Sequence, residues 1–335
     1  MQTLYRRLLK LMPRLGMQVT DLGPGSAVVS RRGGRVRTPL GPGADLLTRD
    51  GGRYQVTTTG EDAWLVARNQ TRQKGKSGGR LRTVPLGATG AHLLLDDQAG
   101  TDERKLQLSA AEYLCHQHVA AMLDFYGVNC VFDVGANTGQ YAKRLRRLGY
   151  KGRIVSFEPT AETFARLEKA AEKDPNWWVY QLGLGSEDTV SSIHVGWKTM
   201  NSLLPPSDYG RDRYPRFETQ RTEEIQIRRL DGMMEKALDG IAEPRPFLKM
   251  DTQGFDLEVF TGAGERIADF LGMQSEVAVL RLYEGSPAMN EAIATYEKSG
   301  FGITGMYPVT REAATGRVVE FDCVLMRAEA APAKD

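Results

Sequence analysis

Residues 131–140 read Val-Phe-Asp-Val-Gly-Ala-Asn-Thr-Gly-Gln, which is the pattern of a strand, a glycine-rich turn and the start of a helix. The stretch 128–134 is short, apolar and β-branched, as is typical of a parallel strand that is covered on both faces. Gly135 and Gly139 let the backbone turn sharply and approach a ligand closely. Because a helical pattern begins at Thr138, the free amides of its first turn face the glycine-rich turn. The stretch therefore predicts a nucleotide-binding site.

The spacing of the turn indicates which kind of nucleotide binds. A dinucleotide turn reads Gly-x-Gly-x-x-Gly, whereas this turn has Gly135, Asn137 and Gly139 at alternate positions, which disfavours a pyrophosphate. A second predicted strand, 153–157, is followed by Glu158. An acid at that point can accept hydrogen bonds from both hydroxyls of a ribose, although it would also favour the N-terminus of the following helix. The order of strand, turn, helix, strand and acid favours nucleoside binding.

Strands and helices alternate beyond the turn, which predicts a doubly wound α/β fold with right-handed crossovers. A helix is expected over 160–173 and a third parallel strand over 177–182. Residues 224–230 are expected to return the chain to this sheet, and 301–306 and 318–326 to close it as an antiparallel hairpin. In such a fold the ligand lies beyond the carboxyl ends of the strands.

The turn after the third predicted strand contains Leu184 and Gly185. Its place at a carboxyl end of the sheet means that it could flank a base. It could equally serve only to open a hairpin at 189–195, which would be an adequate structural explanation. Both interpretations of Leu184 and Gly185 stay open on the sequence alone.

Two acidic residues are associated with the fourth and fifth predicted strands. Asp251 follows the fourth strand, 247–250, at the same sheet edge as the nucleotide turn. Its carboxylate can orient or deprotonate a hydroxyl group there, or only cap the next helix. Glu276 lies among apolar residues of the fifth strand, 273–280, where a carboxylate is either paired or functional. We therefore predict that Asp251 and Glu276 are catalytic.

Neighbouring strands would hold these two carboxylates close to one another. Proximity would raise the pKa of one of them and give a base that works near neutral pH. Oxygen ligands also suit magnesium, but Gln253 offers an amide where a third carboxylate would help, so we predict that no metal is bound. His194 is a further conceivable base.

Residues 196–223 form a long excursion between predicted strands. A loop of this length is usually functional or disordered, and we predict that Asn201 and Ser202 within it contact the substrate. Tyr283, in the loop after the fifth strand, is a third predicted substrate contact. The pair at 205–206 is Pro-Pro preceded by leucine, unlike the Asx-Pro-Pro turn of enzymes that methylate base amines. Nucleobase chemistry and a nucleic-acid partner are therefore disfavoured.

The composition sets the outer bounds. The chain has 335 residues, of which 41% are hydrophobic and 26% charged, which is ordinary for a soluble protein with one large domain and a smaller one. No run of about 18 apolar residues occurs, so no membrane span is predicted. The cysteines have no Cys-x-x-Cys spacing, which argues against a disulfide framework or zinc site and for a reducing cytoplasm; they are Cys115, Cys130 and Cys323.

Charge is unevenly distributed along the chain. Residues 1–100 hold 16 Lys and Arg against 7 Asp and Glu, whereas the remaining 235 residues hold 28 and 35. Between residues 20 and 95, short apolar pieces alternate with glycine clusters, which predicts a small β-rich module. Residues 68–82 hold six basic residues and no acid. They form either a solvated loop or a docking surface for an anionic partner such as phosphate, a carrier protein or a lipid headgroup.

Two helices are predicted around this module. Residues 1–18 place leucines on one face and basic residues largely elsewhere, so this helix either lies on an anionic membrane surface or packs on its own protein. Lys10 interrupts any apolar core there, so we do not expect a signal peptide. A second helix, beginning with a capping box of Ser109 and Glu112, is expected to lead into the main domain.

From about residue 128 to 327 the chain resembles the FkbM-type S-adenosylmethionine-dependent methyltransferases. Nothing before about residue 105 belongs to the resemblance. Many members have Asp-Val-Glu-Gly where this chain has Asp-Thr-Gln-Gly at 251–254. The motifs that carry the resemblance are FDVGANTG at 132–139, SFEP at 156–159, NSL at 201–203, FLKMDTQG at 247–254, SEV at 275–277, LYEG at 282–285 and GF at 300–301.

The resemblance implies a seven-stranded, mostly parallel sheet and methyl transfer from S-adenosylmethionine to a hydroxyl group of a sugar, a glycolipid or a secondary metabolite. The alternative is a nucleotide-binding protein on a Rossmann-like sheet that binds NAD or is not catalytic. The implied cofactor-binding residues are Asp133, then Gly135, Asn137 and Gly139 for the methionine part, Glu158 for the ribose, and Leu184 and Gly185 for the adenine.

The expected organisation is an accessory module at 1–105, a methyltransferase domain at 106–327 and a polar tail at 328–335. We expect the protein in the cytoplasm. Its basic module is expected to contact a membrane surface or a carrier protein, and its acceptor to be a small molecule or a glycolipid.

Overall fold

The computed structural model describes residues 103–219 and 221–331 and, before them, eight strands between residues 17 and 96. The chain divides into two compact units, one formed by residues 1–110 and the other by residues 111–335. The long helix α1 (Glu103–Phe125) spans this division. It begins six residues before Ser109, so the predicted capping box of Ser109 and Glu112 is wrong. Both residues lie inside the helix, where no free amide needs a cap.

The described strands of the first unit pair as four antiparallel two-stranded ribbons. The predicted β-rich module is thereby confirmed for these strands. The predicted helix at 1–18 and the basic run at 68–82 lie largely outside the described residues, although the helix cannot reach residue 18 because the first strand begins at Met17. The strands are β1 (Met17–Gly23), β2 (Ser26–Arg31), β3 (Val36–Gly41), β4 (Ala44–Thr48), β5 (Tyr54–Gly60), β6 (Ala63–Arg68), β7 (Leu81–Pro85) and β8 (His92–Asp96).

In the described part of the second unit, seven strands form one sheet in the order β11-β10-β9-β15-β16-β18-β17. Strand β18 runs antiparallel to its neighbours and the other strands are parallel to one another. The predicted mostly parallel sheet and its closing hairpin are confirmed. The strands are β9 (Cys130–Val134), β10 (Arg153–Phe157), β11 (Trp177–Tyr180), β15 (Pro246–Met250), β16 (Gly272–Ala278), β17 (Gly302–Arg311) and β18 (Val318–Met326).

Helices connect the parallel strands, as the alternating pattern predicts. They begin and end within a few residues of the predicted bounds because apolar spacing and glycines mark them well. None of the helices in the described residues is long and apolar enough to cross a membrane. The helices that follow α1 are α2 (Gln140–Arg147), α3 (Ala161–Ala171), α4 (Asp208–Arg213), α5 (Leu230–Leu238), α6 (Asp256–Gly262) and α7 (Met289–Lys298).

A second, three-stranded sheet corrects two expectations. Strands β12 (Gly183–Gly185) and β13 (Thr189–Val195) both pair with β14 (Arg221–Arg229), in the order β12-β14-β13. The segment 189–195 is therefore not half of a local hairpin, and the strand after the excursion does not return to the main sheet. Ile193 and Ile227 pack in a small apolar cluster of this sheet, so β14 buries its apolar face without joining the main sheet.

The excursion between β13 and β14 is held by aromatic packing. Trp197 and Phe217 are almost fully buried and form a cluster with Leu282 and Tyr283 from the loop after β16. The ring centroids of Phe217 and Tyr283 lie 5.5 Å apart, a distance at which aromatic rings attract each other. The described part of the excursion is thus anchored at the carboxyl edge of the sheet.

The central strands β9 and β15 are buried along their whole length. Alternate residues cover opposite faces, so that Phe132 and Leu248 join one apolar cluster whereas Val131 and Phe247 join the other. Helices on both faces explain why these strands are almost continuously apolar. The thiols are free and buried, as expected for a chain without a disulfide framework; they belong to Cys115, Cys130 and Cys323.

Gly262, at the end of α6, lies against the backbone of Gly185 in β12. A Cβ atom at position 262 would lie 2.0 Å from the Gly185 carbonyl oxygen. Gly262→Ala should therefore lower the free energy of unfolding by about 1–3 kcal/mol, the usual cost of overpacking. Urea unfolding followed by circular dichroism measures this change.

The matched control is Gly232→Ala in α5, because a Cβ atom there meets nothing within 4 Å. Alanine stabilises the interior of a helix more than glycine does, so this variant should be as stable as the parent protein or more stable. Equal unfolding midpoints for the two variants would contradict the close approach of α6 to β12.

Candidate active site

A cavity of about 310 Å³ opens at the carboxyl ends of the parallel strands. The alternating order of strands and helices predicts a ligand at this edge. Apolar side chains line one end of the cavity, near β10 and the small sheet; they are Phe157, Pro159, Leu184, Ile193, Leu203 and Ile225. Polar side chains line the other end, under α1 and α2; they are His116, Gln140, Tyr141, Arg144, Gln274 and Asp322.

The glycine-rich turn after β9 forms the floor between these two ends. Gly135, Asn137 and Gly139 have φ angles of 75°, 49° and 80°, which is the left-handed region that glycine and asparagine tolerate best. A Cβ atom at position 135 would lie 2.0 Å from the Asp251 carbonyl oxygen. Gly135 and Asn137 line the cavity. Gly139 does not line it and instead packs against the ring of Trp177, where a Cβ atom would clash at 2.6 Å.

Glu158 follows β10, is 7% exposed and lines the cavity. Its Oε2 accepts a hydrogen bond from the Asn137 amide at 3.0 Å, and its Oε1 accepts from the Thr160 amide at 3.0 Å and from Thr160 Oγ1 at 2.5 Å. Burial raises the pKa of Glu158, and the hydrogen bonds from Thr160 and Asn137 oppose this rise. The carboxylate therefore fixes the turn and supports the start of α3, and it keeps free lone pairs for a ligand.

Asp133 is fully buried below the turn and does not line the cavity. Its Oδ2 accepts a hydrogen bond from Ser156 Oγ at 3.0 Å, and its Oδ1 lies 3.2 Å from Lys249 Nζ. Ser156 in turn accepts from Trp177 Nε1 at 2.9 Å. The structure thus gives Asp133 a supporting role beneath the turn, because its carboxylate is already occupied by the protein.

Lys249 lies on β15 and lines the cavity, and it is not among the site residues predicted from the sequence. Its Nζ lies 3.2 Å from Asp133 Oδ1, 3.5 Å from Asp251 Oδ2 and 3.4 Å from the Gly135 carbonyl oxygen. Burial acts to lower the pKa of Lys249, but the charges of Asp133 and Asp251 outweigh it and raise the pKa. The signal in the sequence was a lysine inside an otherwise apolar strand, which must be paired when buried.

Asp251 and Glu276 lie close together, with Gln253 between them. Gln253 Nε2 donates to Asp251 Oδ1 at 2.8 Å and to Glu276 Oε2 at 3.1 Å. The Asp251 side chain is 44% exposed and lines the cavity, whereas Glu276 does not line it. Asp251 does not cap α6, because the N-cap position of that helix is Phe255.

The expectation that proximity raises one carboxyl pKa applies to Glu276. Burial raises its pKa well above the ordinary value, and the charges of Glu320 and Asp251 add to the effect. This shift favours the protonated form of Glu276, which does not line the cavity and whose Oε2 accepts a hydrogen bond from Gln253. A tertiary contact decides this outcome, because strand β18 brings Glu320 to the same face of the sheet.

The predicted substrate residues separate into two groups. Asn201 lines the cavity and its Oδ1 accepts from the Trp197 amide at 3.0 Å. Ser202 and Tyr283 are buried and do not line it. Ser202 Oγ donates to the Gln253 carbonyl at 2.7 Å, and Tyr283 Oη donates to Gln253 Oε1 at 2.9 Å. These two side chains hold Gln253 and have no free path to a ligand.

The predicted adenine contacts also separate. Leu184 is buried and lines the apolar end of the cavity, whereas Gly185 faces α6 and does not line it. His194 stacks on Trp197 with ring centroids 5.0 Å apart and does not line the cavity. The structure thus brings Leu184 to the cavity and keeps Gly185 and His194 away from it.

The polar end of the cavity contains none of the site residues predicted from the sequence. Gln140 and Arg144 lie four residues apart on α2, so they share a face of the helix that follows the turn. That spacing could have pointed to them. His116 on α1 and Asp322 on β18 gave no such signal, because only the tertiary fold brings them together.

The model of the methyltransferase FkbM domain matches residues 133–301 of the chain. No significant match exists among curated proteins. Similar solved structures include fibrillarin of Aeropyrum pernix with natively bound S-adenosyl-L-methionine, which is 12% identical with 82% of this chain and 94% of that chain covered and a TM-score of 0.35. Another is the magnesium protoporphyrin IX methyltransferase of Synechocystis PCC 6803, with 10% identity, coverage of 68% and 85%, and a TM-score of 0.36. Because these TM-scores are low, the fold assignment rests on the strand order of the sheet and not on these structures.

The cofactor of this chain is S-adenosylmethionine, and the residues of the cavity fit it. The apolar end suits a purine ring, Glu158 offers carboxylate oxygens for ribose hydroxyls, and the left-handed turn brings backbone close to a ligand. The polar end offers charged groups of both signs. In the described residues, no three His, Cys, Asp or Glu side chains gather in a way that could hold a metal ion.

We expect Glu158→Ala to weaken the binding of S-adenosylhomocysteine by about 1.5–3 kcal/mol, the range for hydrogen bonds to a charged group. The reason is that the substitution removes the ribose acceptor and also frees the Asn137 amide. Isothermal titration calorimetry measures the affinity. The control is Glu162→Ala on α3, whose side chain is 74% exposed. Unchanged affinity in a folded Glu158→Ala protein would refute the ribose assignment.

Proposed function

Because this chain belongs to the FkbM methyltransferase family, we propose that it transfers a methyl group from S-adenosylmethionine to a hydroxyl oxygen of a small molecule. A sugar, a glycolipid or a secondary metabolite would carry that hydroxyl. The observation that carries the proposal is the half-exposed carboxylate of Asp251, which lines the cavity beside a buried, charged lysine. A carboxylate at this point can orient a hydroxyl and take its proton.

Cofactor binding in this proposal uses the residues that line the cavity. Glu158 holds the ribose hydroxyls, and Leu184 packs against the adenine. The backbone of Gly135 and Asn137 lies along the methionine part. Asp133 and Gly139 contribute indirectly, because the first holds Lys249 and the second lets the turn pack on β11.

The chemistry needs positioning more than a strong base. Bound S-adenosylmethionine supplies a methyl group that its sulfonium already activates. Gln253 holds Asp251 Oδ1 at 2.8 Å, which orients the carboxylate. Asp251 Oδ2 then accepts the proton of the acceptor hydroxyl as the oxygen approaches the methyl group. Lys249 stays protonated 3.5 Å from Asp251 Oδ2 and favours negative charge on that oxygen.

The acceptor side of the cavity is formed by the excursion and the loop after β15. Lys198 and Asn201 line the cavity together with Asp251 and Thr252. Asn201 is the predicted substrate residue that this arrangement supports. Ser202 and Tyr283 act on Gln253, and Glu276 acts in the same way through its bond to Gln253 Nε2.

Asp251→Asn should lower kcat by about 100-fold or more, the usual scale for loss of a general base, and should leave the affinity for S-adenosylhomocysteine unchanged. The matched control is Asp269→Asn, a surface carboxylate with the same 44% side-chain exposure. Steady-state kinetics with an acceptor that the parent protein methylates gives kcat, and calorimetry gives the affinity for S-adenosylhomocysteine. Full kcat in Asp251→Asn would reject the base, and loss of activity in EDTA with recovery in magnesium would reject metal-free transfer.

We also propose that the basic first hundred residues recruit an anionic acceptor or a membrane or carrier surface in the cytoplasm. The support is their excess of 16 basic over 7 acidic residues. The methyltransferase domain at 106–327 would then act without them, and the tail at 328–335 would have no part in catalysis.

Deleting residues 1–100 should leave the affinity for S-adenosylhomocysteine nearly unchanged, because the cavity is lined by residues from His116 onward. Acceptor turnover should fall and lose its dependence on salt, since screening weakens attraction between exposed charges. Initial rates at low and high ionic strength measure this effect. Equal turnover with and without the segment would show that it has only a structural role.

A further inference from the structure

The polar end of the cavity holds both a cation and an anion. Arg144 on α2 and Asp322 on β18 line it, with the uncharged polar side chains of Tyr141 and Gln274 beside them. The opposite end is apolar. A ligand group that carries one charge of each sign is therefore matched to the polar end.

The charge of Arg144 is available to a ligand. Its ion pair within the described residues is with Glu112, at 3.0 Å, and the two side chains are 33% and 61% exposed. Such exposed pairs contribute little and are easily exchanged. Arg144 also contacts His116 Nε2. Burial, and then the charge of Arg144, lowers the pKa of His116 to about 3, so this ring is neutral and can orient the guanidinium group.

Lys249 is a weaker candidate for an anionic ligand group. Its ammonium group already lies between the carboxylates of Asp133 and Asp251, at 3.2 Å and 3.5 Å. The combined negative charge of these two carboxylates exceeds the positive charge of Lys249. Arg144 is therefore the cation at this end that a ligand carboxylate would meet.

Asp322 is a half-buried carboxyl group whose Oδ2 lies 4.0 Å from the Cys115 thiol and which forms no ion pair in the described residues. Its Oδ1 accepts from Gln274 Nε2 at 3.0 Å, and Tyr141 Oη holds Gln274 Oε1 at 3.1 Å. None of the ion pairs found in residues 103–219 and 221–331 involves Asp322. Burial raises the pKa of Asp322 to about 6, so the group is still ionised at neutral pH. An ionised carboxylate that is partly removed from water gains from a charged partner, and a bound ammonium group would supply one.

The order of the strands agrees with the order of groups in the cofactor. The apolar residues lie near β10 and the small sheet, Glu158 follows β10 and the glycine-rich turn follows β9. The polar end continues across β15 and β16 to β18. In S-adenosylmethionine the adenine, the ribose, the sulfur and the amino-acid group follow one another in the same order.

We infer that Arg144 and Asp322 bind the amino-acid end of S-adenosylmethionine. Arg144 binds the carboxylate of the cofactor, and Asp322 binds the ammonium group of the cofactor. The inference rests on the cofactor and not on which hydroxyl group is methylated. Asp322 and His116 lie outside the residues matched by the family model, 133–301. The site is thus completed by helix α1 and by β18, the antiparallel strand of the main sheet.

The test compares ligands that differ only in the amino-acid end. S-adenosylhomocysteine has the complete group, decarboxylated S-adenosylhomocysteine lacks the carboxylate, and 5′-methylthioadenosine lacks the whole group. Calorimetry with the full chain gives the affinity of each ligand for the parent protein and for Arg144→Gln and Asp322→Asn. Arg147→Gln, an exposed position on the same helix, is the control.

Arg144→Gln and Asp322→Asn should each weaken S-adenosylhomocysteine about 10-fold or more, as expected for loss of a hydrogen-bonded charge. Both variants should bind 5′-methylthioadenosine as the parent protein does, which also shows that they are folded. Decarboxylated S-adenosylhomocysteine should be insensitive to Arg144→Gln and remain sensitive to Asp322→Asn, because its amino-acid end keeps only the ammonium group.

Three results would overturn the inference. One is an equal loss of affinity for all three ligands, because the two side chains would then support the cavity without touching the amino-acid end. Another is unchanged binding of S-adenosylhomocysteine with a raised KM for the acceptor, which would assign the polar end to the acceptor. The third is a parent protein that binds 5′-methylthioadenosine as tightly as S-adenosylhomocysteine; the proposed methyl transfer to a hydroxyl would survive that result.

Discussion

The buried ammonium group of Lys249 is the constraint on which the site depends. A lysine inside a central strand is costly unless it is paired, and here Asp133 on β9 and Asp251 after β15 pair with it. The same nitrogen lies 3.4 Å from the carbonyl oxygen of Gly135. One charge therefore ties together two adjacent strands, the glycine-rich turn and the half-exposed carboxylate. The turn and the carboxylate are held in a fixed relation before any ligand arrives.

Gln253 extends this arrangement to the acceptor side. Its φ angle of 54° is left-handed, an uncommon conformation that the surroundings must stabilise. Its side chain bonds to Asp251, Glu276 and Tyr283, and its carbonyl accepts from Ser202. An amide can donate to both carboxyl groups, whereas a carboxylate here would add negative charge beside them. The departure from the common Asp-Val-Glu-Gly motif therefore changes the charge of the site and not only its sequence.

The cavity that results has ends of opposite character, and each end has a separate structural origin. The apolar end is built by β10 and by the small sheet, whose strand β12 packs closely on α6. The polar end is built by α1, α2 and β18, which lie before the first parallel strand, after the turn and near the end of the chain. The lining of the cavity thus comes from elements spread over the whole second unit, while the family motif supplies the turn and the Asp251 carboxylate between the ends.

The sequence by itself determined the elements and the centre of the site. Apolar periodicity and glycines gave β9, β10 and β15 and the turn at Gly135, because local backbone preferences act there without help from distant residues. Only the tertiary structure decided which side chains reach the cavity. It placed β14 in a second sheet, brought Asp322 to the cavity and left Glu276 behind Gln253. These outcomes depend on pairing and burial between residues far apart in the chain, and burial and neighbouring charges, not sequence position, shift the pKa of a carboxyl group.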